Sequence, residues 1–381
     1  MANLLLGIEN LEVYVPLIKG KRVGLITNFT GVTSTFEKNY ELLANWCHVE
    51  KLFTPEHGLH GVAEAGETVA SYYDEQLAMN IVSLYGERHA PLKSDVVDLD
   101  VLLFDIQDIG IRYYTYIYTM YESMKVAKEA GIPFIVMDRP LPLGRKYPLG
   151  KTLTPAFFSF VGLLPLPNSY SLTIGELANW IQAKKMPSLA LTVVPLKNWD
   201  SQADIVQNGL PWLAPSPNLP TLNAVRLYLG LCFMEGTNVS EGRGTVYPFE
   251  QIGAPWIDGS ALAKTLAKKV SPKDCLFQPT WFVPLSSKHT GTVCQGVHFH
   301  LMNPEFNTLK LGYLVLETLK DLYPEEFDYS LVSKDIGVAH KFIEYLAGTQ
   351  LADSVDFEKI ATDYGNENEV FEQQVAQYYL Y

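Results

Sequence analysis

Within the first 140 residues, four apolar runs of strand length alternate with segments of helical period, and every run stops on a polar or charged side chain. The runs are KRVGLITN (21–28), HVEKLFTPE (48–56), DVLLFDIQD (100–108) and IPFIVMDRP (132–140). Between them, FEKNYELLANWC (36–47) and YIYTMYESMKVAKEAG (116–131) place apolar residues at i, i+3 and i+4, and the second closes on a C-cap glycine, Gly131. Strand-helix alternation of this kind predicts an α/β fold with a parallel, doubly wound sheet. LALTVVPLKNW (189–199) reads as a further strand.

In open parallel sheets, loops and helix amino termini converge beyond the carboxyl ends of the strands, and ligands bind there. That rule gathers the polar strand endings at one edge: Asn28, Glu56 with His57, Asp105 with Asp108, and Asp138 with Arg139. The stretch TPEHGLHG (54–61) stands out among them, because a carboxylate and an imidazole follow a proline at the mouth of a strand. Asp105 and Asp108 read equally as catalytic acids and as helix caps. Asp138 beside Arg139 reads as an internal ion pair.

From about 200 to 250 the text turns rich in proline and glycine, with GLPWLAPSPNLPT and EGTNVSEGRGT and little period of either kind. Loops this long in a compact domain are more often functional than structural. Beyond them DGSALAKTLAKKV (258–270) and LKLGYLVLETLKDLY (309–323) read as helices, with strands in FQPTWFVPLSS and TVCQGVHFHLM between. The expected division is a doubly wound domain over 1–250 and a smaller α/β domain over 251–381 that closes the cleft.

Composition narrows the function. A net charge of −13 and a pI near 5.1 argue against nucleic acid or an anionic membrane as partner, since both are met by clustered Lys and Arg. TNFTGVTS follows the first strand with a single glycine, which excludes the G-x-G-x-x-G dinucleotide fingerprint, and no P-loop motif occurs. The four cysteines have neither zinc-ligand nor disulfide-framework spacing. No cofactor or metal is expected. The amino terminus, MANLLLGIENLEVY, lacks the basic region and apolar length of a signal peptide, so the sequence as given reads as cytoplasmic; a leader removed earlier would make it periplasmic or secreted.

GLITNFTGV, TPEHGLHG, SLYGE, FDIQDIGIRYYTYI, GELANW, PSPNLPT, EGTNVSEGRGT and IGAPWI occur in this order across roughly residues 20–325. Together they resemble the exo-acting β-N-acetylmuramidases, the NamZ-type glycosidases first catalogued as a domain of unknown function. The resemblance implies a Rossmann-like domain followed by a smaller α/β domain, with the active site in the cleft between them. It implies a carbohydrate substrate, the terminal N-acetylmuramic acid at the non-reducing end of peptidoglycan fragments. The glutamate put forward as catalytic acid in the family's PEHG motif falls on Glu56. Two departures stand out: Phe29 where proline is usual, and Leu141 where the family commonly has Asn-Pro.

The chemistry agrees with that assignment. Glycoside cleavage needs a proton on the leaving oxygen and a second group to stabilise an oxocarbenium-like centre. Glu56 has the strand-end position for the first role, and His57 either holds it by hydrogen bonding or binds substrate. For the second group Asp105, Asp108, Glu235, Glu241 and the substrate's own 2-acetamido group remain open. Glu235, Asn238, Glu241 and Arg243 lie within nine residues of one loop, and with Asn28, Arg112, Tyr114 and Asn218 they are the expected substrate contacts. The lactyl carboxylate of muramic acid calls for a planar cation, Arg243 first, then Arg112 or Arg139. The competing function classes are a sugar-binding protein and a sugar transferase on the same scaffold.

Overall fold

A computed structural model of the chain describes residues 3–63, 69–86, 88–334, 336–351 and 355–381. Its strands are β1 (Arg22–Thr27), β2 (His48–Thr54), β3 (Tyr72–Asp74), β4 (Met79–Ser83), β5 (Val101–Asp105), β6 (Phe134–Met137), β7 (Leu191–Val194), β8 (Gln251–Ala254), β9 (Cys275–Phe282) and β10 (Cys294–Leu301). The first seven form one sheet in the order β3-β4-β2-β1-β5-β6-β7, parallel throughout except for β3 against β4. The last three form a small antiparallel sheet, β8-β10-β9. Large parallel sheet, flanking helices and smaller second sheet together make the expected α/β architecture.

The apolar runs are continuous because the large sheet is covered on both faces. Leu102 and Phe104 of β5 enter one core cluster, and Val101 and Leu103 enter the other; a strand buried on both sides has no position for an alternating polar residue. The first cluster continues without a break into Val297 and Phe299 of β10 and Leu262 of helix Gly259–Lys269. The small sheet therefore shares one continuous apolar core with the large one. Strand order sets the location of the crevice. From β1 the chain moves outward through β2 to β4, then returns to β5 on the other side of β1, so the connections leaving β1 and β5 diverge.

Helix Tyr116–Ala130 ends at Gly131, whose φ of 71° and N–H bonds to Ala127 and Lys128 carbonyls make the expected cap. Three features depart from the sequence reading. β3 and β4 extend the sheet where no strand was expected. The segment 200–250 contains helix Leu222–Leu231, capped by the Thr221 side chain, with Ala224, Val225, Leu227, Tyr228 and Leu231 buried; the proline-rich text just before it conceals the period. Residues beyond 330 return to the large sheet. There Asn368 Nδ2 donates to Gly150 O at 2.6 Å while Gly150 N–H donates to Asn368 Oδ1, and Lys151 pairs with Glu367. Among the described residues no helix is long and apolar enough to cross a membrane.

The returning segment ends on a buried acid. Tyr381 OH donates to Asp138 Oδ2 at 2.8 Å, just past β6, where Thr173 OH and the N–H groups of Gly175 and Arg139 also converge. Burial, reinforced by the nearby Glu176 carboxylate, pushes Asp138 up to about 7. An unfolded aspartate titrates near ~4, so from about pH 4 to 7 the unfolded chain binds fewer protons than the native one. Stability contributed by this carboxyl is complete below that window and is lost as pH rises through it. The difference in unfolding free energy between wild type and Asp138→Asn, measured by urea titration, should therefore shift against wild type from pH 4 to 7 and level off above; a flat profile would show that Asp138 is ionised throughout.

Candidate active site

At the end of β2 the chain turns at once. Gly58 N–H donates to Pro55 O at 3.0 Å, and His57 and Gly58 both take positive φ, 72° and 71°. A non-glycine residue held there costs on the order of 1 kcal/mol or more and persists only where its surroundings impose it. His57 is imposed by its ring, which is 3% exposed with Nδ1 2.7 Å from Ala63 O. The imidazole thus fixes the turn that projects Glu56, half-buried, from the sheet edge. Thr115, immediately before helix Tyr116–Ala130, donates its hydroxyl to Glu56 Oε2 at 2.9 Å. Tyr116 OH lies 3.5 Å from Glu56 O and donates to Pro215 O at 2.7 Å, which ties the 215–218 loop to the same place.

The surroundings of Glu56 contain polar atoms that are buried and lack a partner. Asn218 Nδ2, His89 Nδ1 and Asp108 Oδ1 are of this kind, and Asn28 Nδ2 and Tyr114 OH have no partner beyond the Tyr116 hydroxyl, which both approach outside hydrogen-bond geometry. Asn28 is oriented by its other end, since Oδ1 accepts from Thr30 N–H and OH. The Tyr114 and Tyr116 rings meet edge to face at 4.9 Å, and burial pushes both hydroxyls up, so they stay neutral. The charge of Glu56 acts on Tyr114, Tyr116 and His89 alike, which places all three close to it. Native proteins pair nearly all buried polar groups, so a cluster of such groups free of protein partners is suited to holding a polar ligand or water.

Other expected site residues are placed differently. Asp105 is fully buried and saturated: Arg139 Nε and Nη2 donate to it at 2.6 and 3.0 Å, and Asn39 Nδ2 at 2.8 Å. Both of its oxygens are held by protein, and the Arg139 side chain pairs with Asp105, not with Asp138 as expected. Asp108 accepts from Gly110 N–H at 2.8 Å and from Tyr170 OH on Oδ2, and burial outweighs both, raising it to about 6. Arg112 lies at zero exposure with Nη1 and Nη2 on the carbonyls of Lys151, Leu166 and Leu346, so it staples the core and does not face a substrate. Asn238 binds Glu326 O and the Asp328 backbone, a loop staple of the same type.

Phe29 and Leu141, the two departures, both press on a glycine of a site loop. A Cβ at Gly61 would lie 2.3 Å from the Phe29 ring, and one at Gly110 would lie 2.8 Å from Leu141 Cδ2. Sequence reasoning missed Thr115, Tyr116 and His89. The YYTYI text just before the helix carries the signal for the first two, because a residue at a helix start beyond a strand end faces the crevice. Two cavities, of about 40 and 290 Å³, are lined by other residues than Glu56. The larger, between residues 109–111, 141–149 and 304–308, contains none of the unpaired polar atoms.

Comparison with known proteins identifies the family. Residues 23–223 match the family described as "Exo-beta-N-acetylmuramidase NamZ, N-terminal", and residues 226–381 match its C-terminal counterpart. The peptidoglycan beta-N-acetylmuramidase NamZ of Bacillus subtilis is 40% identical over 372 residues, covering 97% of this chain and 89% of that protein. Two crystal structures of DUF1343 family proteins from Bacteroides fragilis are similar in fold. One has a TM-score of 0.85 at 30% identity with full coverage of both chains; the other has 0.73 at 27%, covering 100% of this chain and 99% of that one.

Arg243 departs furthest from its expected use. Its Nη2 and Nε hold Glu235, its Nε also lies 3.1 Å from Glu241, and Lys288 Nζ lies 2.8 Å from the other Glu241 oxygen. Burial pushes Glu241 up, but Lys288 and Arg243 outweigh it and hold the carboxyl below its usual value. The two acids and two cations balance, and protein holds Nε and Nη2 of the fork that was to read a lactyl carboxylate, while Nη1 is buried without a partner. Arg243→Ala should destabilise the fold by about 3 kcal/mol, the scale for removing one partner of a buried pair. Urea unfolding checks this, and a loss below about 0.5 kcal/mol would mean that the cluster is not structural.

Proposed function

The chain belongs to the exo-β-N-acetylmuramidase NamZ family, and from that premise we propose that Glu56 is the general acid with which it releases N-acetylmuramic acid from the non-reducing ends of peptidoglycan fragments. One observation carries the assignment: Glu56 stands at the sheet edge, held by Thr115, beside buried donors that have no protein partner. A sugar in that place would receive hydrogen bonds from Asn28 Nδ2, Tyr114 OH and Asn218 Nδ2. Protonated Glu56 gives its proton to the glycosidic oxygen as the bond to C1 breaks, water supplies the hydroxyl that C1 gains, and the remaining water proton restores the Glu56 carboxyl. His57 acts through the turn and touches no substrate.

For the group opposite, Asp105, Glu235 and Glu241 are each neutralised by an arginine. Asp108 and the substrate's own 2-acetamido group remain. Replacing the acetamido with its less nucleophilic trifluoro analogue slows the second route strongly and the first only slightly, which separates them.

Glu56→Gln should lower turnover of a muramic acid disaccharide by at least ~10²-fold, the usual contribution of general acid catalysis. An aryl glycoside with a good leaving group should lose less, because it needs less protonation. Near-wild-type rates on both substrates would remove Glu56 from the mechanism, and binding without release by the wild type would favour a sugar-binding protein. Digestion of a defined glycan chain should give free N-acetylmuramic acid from the first time points; early internal fragments would make the enzyme endo-acting.

A further inference from the structure

We propose that Tyr85, His89 and Phe160 form the subsite for the leaving-group sugar, an aromatic wall that stacks on the pyranose ring on the far side of the scissile bond. The inference rests on the reading of Glu56 as the acid, since the leaving oxygen must lie where that carboxyl can protonate it. Topology puts the wall there. Ser83 at the end of β4 pairs with Thr54 of β2, and Leu84 N–H donates to Thr54 O at 2.8 Å, so Tyr85 leaves the sheet edge one strand away from Pro55 and Glu56. Phe160 reaches the same place from a tight turn in which Ser159 and Gly162 exchange two backbone hydrogen bonds of 2.9 Å.

The three rings form one surface. His89 stacks on Phe160 at 3.8 Å and 26°, and Tyr85 lies 5.9 Å from Phe160 and 6.3 Å from His89 at steeper angles. All three are half-exposed, and none is part of either apolar core cluster. Aromatic rings left out of a core and grouped beyond a sheet edge suit a ligand with an apolar face and a polar rim. A pyranose has that character: its axial C–H bonds form the face and its hydroxyls the rim. His89 adds a polar element, for its buried Nδ1 has no protein partner. Burial also lowers its pKa against the opposing charges of Glu122 and Glu56, which keeps the ring neutral and able to stack flat.

Calorimetric titration of the Glu56→Gln protein with the β-linked disaccharide and with N-acetylmuramic acid alone tests the assignment. Adding Phe160→Ala should weaken disaccharide binding roughly 5- to 20-fold, the scale of one lost ring contact, while the monosaccharide keeps its affinity. Phe160→Trp should restore most of the loss. Equal weakening of both ligands, or of neither, would overturn the proposal. If the Glu56→Gln protein still cleaves the disaccharide, the reading of Glu56 fails separately. The same comparison is then made in the otherwise wild-type protein: Phe160→Ala should lower kcat/KM for the disaccharide relative to muramic acid glycosyl fluoride, whose leaving group has no ring, and an unchanged ratio overturns the subsite.

Discussion

The ion pair between Asp105 and Arg139 is the contact on which the crevice depends. It joins the ends of β5 and β6, and through it Asn39, Val32 and Thr27 are drawn onto the end of β1: Asn39 Nδ2 donates to Asp105 and to Thr27, and Arg139 Nη2 to Val32 O. A pair at this depth bears a large desolvation cost and contributes little net stability over an apolar substitute. Its effect is geometric. Every oxygen of Asp105 and the guanidinium fork are satisfied, so three strand ends and the loop after β1 share one arrangement, and the loops carrying Asn28, Gln107 and Asp108 are fixed beside it.

The polar groups at this edge divide into two kinds. The carboxylates of Asp105 and Asp138 are saturated by other protein groups and serve the scaffold. The groups around Glu56 are buried and aimed, yet incomplete, as at Asn28, where the Thr30 contacts fix the amide and leave its N–H₂ end open. Leaving a buried donor unpaired costs about 1–3 kcal/mol, a penalty that a bound ligand relieves. A site made this way favours a ligand rich in acceptors, since one that cannot reach those donors leaves the cost in place.

The fold was legible in the sequence because the strands of the large sheet are short, continuous and bounded, from KRVGLITN to LALTVVPLKNW. β3 and β4 were not, because YYD and MNIVS are brief and partly exposed, and helix Leu222–Leu231 was hidden by the prolines before it. Among the proposed site residues, strand-end position put Glu56 and Asn28 at this edge and the PEHG resemblance singled out Glu56, but neither could separate Asp105 from Asp108. That distinction depends on a partner 34 residues along the chain, Arg139, for one acid and on Tyr170 for the other. The arginines were misread for the same reason: sequence counts a guanidinium as available, whereas only tertiary structure shows what it already holds.

That last point bears on how an acidic protein recognises an acidic sugar. Of the seven arginines, six pair with a carboxylate: Arg22, Arg88, Arg139, Arg145, Arg226 and Arg243. The seventh, Arg112, is closed within the core on three carbonyls. Each of the six already compensates a protein acid, and in Arg243 only Nη1, buried without a partner, is not engaged. The unpaired groups near Glu56 are instead neutral donors, the Tyr114 hydroxyl and the amides of Asn28 and Asn218. Hydrogen bonds from neutral donors to an ionised acceptor still contribute about 1.5–3 kcal/mol each in a partly desolvated site. Two or three such bonds match one arginine fork in strength, and they do so without adding positive charge beside Glu56.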